Sequence, residues 1–76
     1  MMIMSKDGKM IIKVNSVQVV KNIGGPKGEK YVLSANGGFG SGGVLGLYAD
    51  EKTAVDELEK IYAAISEGAK IYRINS

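Results

Sequence analysis

Between Asp50 and Gly68 the apolar residues Ala54, Val55, Leu58, Ile61, Tyr62 and Ile65 recur at steps of three and four. That period is helical, so these side chains form one stripe while Asp56, Glu57, Glu59, Lys60 and Ala63 fall elsewhere. Asp50 suits the N-cap, where a carboxylate accepts from the free amides of the first turn, and Gly68 suits the left-handed position past the end. The early acids favour the positive end of the helix dipole, and the later ones read as a solvated face.

Upstream, short β-branched runs alternate with turn residues. Asp7-Gly8 is a two-residue hairpin signal between residues 2–6 and 9–14. Asn15-Ser16 reads as a bend or bulge before a strand at Val17–Lys21, and Tyr31–Ala35 and Val44–Tyr48 read as further strands. A last strand at 70–74 follows the helix, with Tyr72 and Ile74 on one face and Ile71 on the other. Apolar residues on both faces predict a second surface buried against a partner chain. The expected fold is a single α+β domain over residues 1–76. Four to five antiparallel strands precede one amphipathic helix and a final strand, with the helix packed on one sheet face.

Composition narrows the chemistry. The 76 residues include no cysteine and no histidine, so there is no imidazole base, no thiolate nucleophile, no zinc site of the usual kinds and no disulfide. The serines have no imidazole to activate them and the acids no recognisable catalytic arrangement, so we expect no enzyme, no catalytic residue, no metal and no cofactor. A core of this size yields only about 3 to 5 kcal/mol of net stability, which makes self-association the expected route to further burial. Met1-Met2-Ile3-Met4 is too short for a signal-peptide core or a membrane span, so no membrane partner is expected. The absence of cysteine fits a reducing cytoplasm.

The net charge of +2 is unevenly spread. Lys6, Lys9, Lys13, Lys21, Lys27 and Lys30 give the first half a basic balance, and the segment 50–67 is acidic. A basic surface attracts phosphates, whereas lysines on strand edges discourage aggregation.

The stretch Met2-Ile3-Met4-Ser5-Lys6-Asp7-Gly8, the run from Leu45-Gly46-Leu47-Tyr48 to Ala54, the helix ending in Glu67-Gly68 and the closing Ile71-Tyr72 together resemble a set of small proteins from phages and low-GC Gram-positive bacteria. The resemblance covers most of the chain. It implies a small α+β fold, a phage origin and work in the cytoplasm of a bacterial host, and it brings no activity with it. The chain departs from that set in its glycine-rich hairpin tip.

Eight of the eleven glycines lie between residues 24 and 43, in two clusters. The first, Gly24-Gly25-Pro26-Lys27-Gly28, lacks the spacing of a P-loop and reads as a turn. The second contains a Gly-x-Gly-x-x-Gly pattern at Gly38, Gly40 and Gly43, but a strand follows it where a dinucleotide fold requires a helix. Two readings remain for this tip: a turn that tolerates glycine, or an anion-contacting flap. In the second, amides of Gly38, Gly40 and Gly42 donate, Ser41 adds a hydroxyl, Lys27 or Lys30 supplies countercharge and Phe39 a stacking face. The expectation is a non-catalytic binding protein working as a homo-oligomer, which captures a small anionic, nucleotide-like ligand or docks on a host protein to blunt host defence. The alternative is a small nucleic-acid-binding protein that uses its basic strands.

Overall fold

The computed structural model describes residues 1–25, 27–36 and 43–74. In chain order these form β1 (Met2–Met4), β2 (Ile11–Lys13), β3 (Val17–Lys21), β4 (Tyr31–Ala35), β5 (Val44–Tyr48), the helix α1 (Glu51–Ser66) and β6 (Ile71–Arg73). The fold is α+β, and the strands divide into two sheets of three. Sheet I has the order β2-β1-β6 and sheet II the order β3-β4-β5. Sheet II is an antiparallel meander, in keeping with the antiparallel strands expected before the helix. Sheet I is mixed: β6 returns after the helix to run parallel to β1, with Ile3 opposite Tyr72. The sheets are stitched where the Lys6 amide donates to the Leu45 carbonyl at 2.7 Å.

The turn between β1 and β2 is wider than a two-residue hairpin. The strands stop at Met4 and restart at Ile11, and the closing bond runs from the Ser5 amide to the Met10 carbonyl at 2.8 Å. Asp7 explains the difference. One carboxylate oxygen accepts from the Ser5 hydroxyl at 2.6 Å and from the Lys9 amide at 2.9 Å, which holds a local turn that competes with the ladder. Gly8 takes the left-handed conformation at φ +73° that this turn requires.

The helix begins and ends where capping chemistry dictates. Asp50 accepts from both the amide and the hydroxyl of Thr53, at 2.8 and 2.7 Å. At the other end the amides of Gly68 and Ala69 return to the carbonyls of Ile65 and Ala64, a Schellman closure with Gly68 at φ +80°. Ala54 and Ile61 are buried against Ile3, Leu33, Ala35 and Leu45, and this is the core.

The helix is rotated relative to the apolar stripe. Leu58 is only partly buried, and Val55, Tyr62 and Ile65 are exposed, the last two at 69% and 53%. Glu57, expected on the wet side, is instead 1% exposed. Its Oε2 accepts from the Tyr72 hydroxyl at 2.6 Å, which offsets part of the cost of burying a carboxyl group. Burial and this bond push the Tyr72 phenol above its ordinary range.

Gly46 has a packing reason. Tyr48, two residues along the same face of β5, folds back over it, so that a Cβ at Gly46 would sit 2.9 Å from the Tyr48 hydroxyl and 3.2 Å from Lys6 Cβ. Lys6 closes the arrangement from outside, its ammonium 4.4 Å from the centre of the Tyr48 ring. Burial, with a smaller contribution from Glu57, pushes the Tyr48 phenol up to about 12.

Candidate functional site

The turn between β3 and β4 gathers the described part of the candidate set. Asn22 organises it: its amide pairs with the Lys30 carbonyl at 2.8 Å, while its side-chain Nδ2 donates to the Glu29 carbonyl at 2.8 Å. The Asn22 carbonyl accepts from Gly25 at 3.2 Å. A Cβ at Gly25 would collide with the Asn22 side chain, so glycine is required by close approach there. At the adjoining Gly24 it is required by φ, at +81°. These bonds tie the two ends of the turn together.

Against this turn lies a cleft of about 220 Å³ lined by Lys21, Asn22, Ile23, Lys30 and Tyr31. Lys21 faces Tyr31 across the ladder, so the register brings two lysines to one concavity beside an aromatic ring. Ile23, 92% exposed, stands at its rim. Lys27 is exposed on the same turn.

Lys30 is thus part of a cationic cleft whose other members, Lys21, Asn22 and Tyr31, the sequence did not single out. The signal was present in the equal distance of Lys21 and Tyr31 from the glycine turn, but it becomes legible only once the strands are paired. Gly38, Phe39, Gly40, Ser41 and Gly42 lie outside the described residues. Their flanking residues Asn36 and Gly43 stand at the opposite end of β4 from Lys30. Within one chain Lys30 and Asn36 are therefore separated by a five-residue strand, about 15 Å. Asn36 is fixed at that end, at φ +58°, by donating to the Lys13 carbonyl and accepting from the Asn15 amide.

A larger cleft of about 440 Å³ opens where the sheets meet, between Ser5, Lys6 and Asp7 on one side and Glu29 and Val44 to Leu47 on the other. Its chemistry differs. The Lys6 ammonium donates to the Leu47 carbonyl at 2.9 Å, and hydrogen bonds from Ser5 and then Lys9 hold the Asp7 carboxyl below its ordinary range. Asp7 and Glu29 line it with acid, so an anion is better placed at the Lys21–Lys30 turn.

Among the described residues no group of three or more acids is placed to hold a metal ion, and no helix is long and apolar enough to cross a membrane. Comparison with protein-family models, with curated proteins and with solved structures returned no match.

Proposed function

We propose that this chain is a non-catalytic binding protein which works as an oligomer and captures a small anionic, nucleotide-like ligand. The observation that carries this reading is the juxtaposition of Lys21 and Lys30 with Tyr31 at a turn whose ends Asn22 bonds together. Two ammonium groups on one concavity attract phosphate, and a phenol ring offers a face to a base. At about 220 Å³ the cleft is smaller than the roughly 300 to 1,000 Å³ of a complete small-molecule site. It suits one end of a nucleotide, with the remainder supplied by a neighbouring subunit. Together with the resemblance to phage proteins, this supports sequestration of a host nucleotide signal in the bacterial cytoplasm.

Isothermal titration with mononucleotides and cyclic dinucleotides tests it. The reading expects saturable binding that weakens at least tenfold in Lys21→Glu and in Lys30→Glu, with the melting temperature of each variant unchanged. Absence of binding to every nucleotide, or binding indifferent to both substitutions, overturns it. A DNA or RNA oligomer that binds with a steep negative dependence on salt, where mononucleotides do not bind, replaces it with the nucleic-acid alternative.

A further inference from the structure

The edge of sheet II formed by β3 is open. The amide of Asn36 bonds to Ser16 and that of Asn22 to Lys30, so the even-numbered residues of this strand face β4. By alternation the amides and carbonyls of Val17, Val19 and Lys21 point away from the sheet. No hydrogen bond among the described residues reaches them. Such a row is a template for another strand, and folded proteins protect it unless it is used. The opposite edge is protected: on β5 the carbonyls of Leu45 and Leu47 are both taken by Lys6.

The helix flank above β3 is unfinished on the same side. Leu58, Tyr62 and Ile65 border a groove of about 220 Å³ whose other wall is Met1 and residues 14–17, the segment that leads into β3. With Val55 they step along α1 by three, four and three residues, the spacing of a seam between two helices. The protomer's own core lies on the neighbouring line of Ala54, Glu57 and Ile61. An open strand edge and an exposed helical seam on one side specify a partner that itself offers a strand with a helix over it.

We propose that β3 pairs with β3 of a second copy, antiparallel about a two-fold axis through Val19, to give one continuous six-stranded sheet. The strand is self-complementary in this register. Val19 meets Val19, Gln18 meets Val20, and Lys21 meets Val17, so no lysine faces a lysine. The outward groups of Val17, Val19 and Lys21 then form about six backbone hydrogen bonds, each residue in a doubly bonded pair. The same axis sets the two α1 helices antiparallel on one face of the shared sheet, with Tyr62 and Ile65 directed toward the other copy. Because the strands oppose, the Lys21–Lys30 turn of one copy comes to the sheet end where Asn36 and Gly43 of the other stand. The inference rests on the oligomeric reading above and names its surface.

Sedimentation velocity and native mass spectrometry of the wild-type chain and three variants test it. Val19→Pro removes only an outward-facing amide, so the strand keeps its bonds to β4 while edge pairing is blocked. Tyr62→Arg alters a side chain that is 69% exposed, and Ile71→Arg one that is 63% exposed on the outer face of sheet I. The proposal expects a species of at least twice the 8.1 kDa chain mass, with self-association weakened at least tenfold by Val19→Pro and by Tyr62→Arg and unaffected by Ile71→Arg. Should Val19→Pro fail to fold, Tyr62→Arg against Ile71→Arg decides. A wild-type chain that stays monomeric to high concentration overturns both this interface and the oligomeric reading. An oligomer that survives Val19→Pro and Tyr62→Arg but is dispersed by Ile71→Arg overturns this interface alone.

Discussion

The two edges of sheet II are strands of equal length with opposite fates. Along β5 one residue, Lys6, caps the edge twice, its backbone amide on Leu45 and its ammonium on Leu47, while its side chain lies over Tyr48. Along β3 the corresponding groups of Val17, Val19 and Lys21 have no such cover among the described residues, and the only charged residue on that strand stands at its end. Both edges flank the same central strand and the same helix, so their difference lies in covering rather than in core packing. A chain this small spends few residues on edge protection. The edge left open is the one beside exposed Tyr62 and Ile65, the surface to which the proposal above assigns a second copy.

The largest expected effect tests the common support. Ile61 is buried in the core between α1 and the sheets, and Ile61→Ala is expected to cost about 2 to 5 kcal/mol by urea denaturation, abolishing both edges together. Loss of structure on one side alone would show that the edges do not share a core. Next, Tyr72→Phe leaves the Glu57 carboxyl without its hydroxyl partner and is expected to cost about 1 to 3 kcal/mol. Because Glu57 lies on the flank of α1 away from the β3 seam, self-association per folded molecule should be unchanged.

Gly46→Val sharpens the contrast between the edges. The added side chain meets the Tyr48 hydroxyl and Lys6 Cβ, so destabilisation of about 1 to 3 kcal/mol is expected at the packed edge. Gln18→Val, on the open edge, should leave the thermal midpoint nearly unchanged. A small effect at neutral pH is also expected of Lys6→Ala. It is expected to change stability by no more than about 1 kcal/mol, since the bond to Leu47 is exposed, yet to free the Leu47 carbonyl while the backbone bond to Leu45 stays, and so to raise light scattering modestly through the partly uncovered second edge.

Alkaline titration at 295 nm reads the cover on Tyr48 directly. A phenol whose folded value is raised above 10 stabilises the fold below pH 10, and that contribution is lost as pH rises toward about 12. Lys6→Ala, by admitting water to Tyr48, should move its titration down toward the ordinary range and narrow that window.

Much of this was legible from pattern. The spans of β3, β4 and β5 follow from β-branched runs bounded by glycine and asparagine, and both ends of α1 follow from Asp50 and Gly68, because these signals are local. The division into two sheets was not legible. The pairing of β6 with β1 joins residues about seventy positions apart, and nothing near Ile71 names its neighbour. Glu57 was misplaced for a related reason: its hydroxyl partner, Tyr72, is supplied by the strand after the helix. In the candidate site, lysine at position 30 and the need for glycine nearby could be read. The meeting of Lys21 with Tyr31 depends on a register that only the paired strands define.

The central claim is that the β3 edge is open in one chain and closed by a second copy. Amide hydrogen exchange, resolved by residue and followed across protein concentration, tests it most directly. Gln18 and Val20, bonded to β4, should be protected at every concentration, whereas Val17, Val19 and Lys21 should exchange freely when dilute and gain at least tenfold protection as concentration rises. Free exchange of Val17, Val19 and Lys21 at all concentrations, with Gln18 and Val20 protected throughout, would contradict the account.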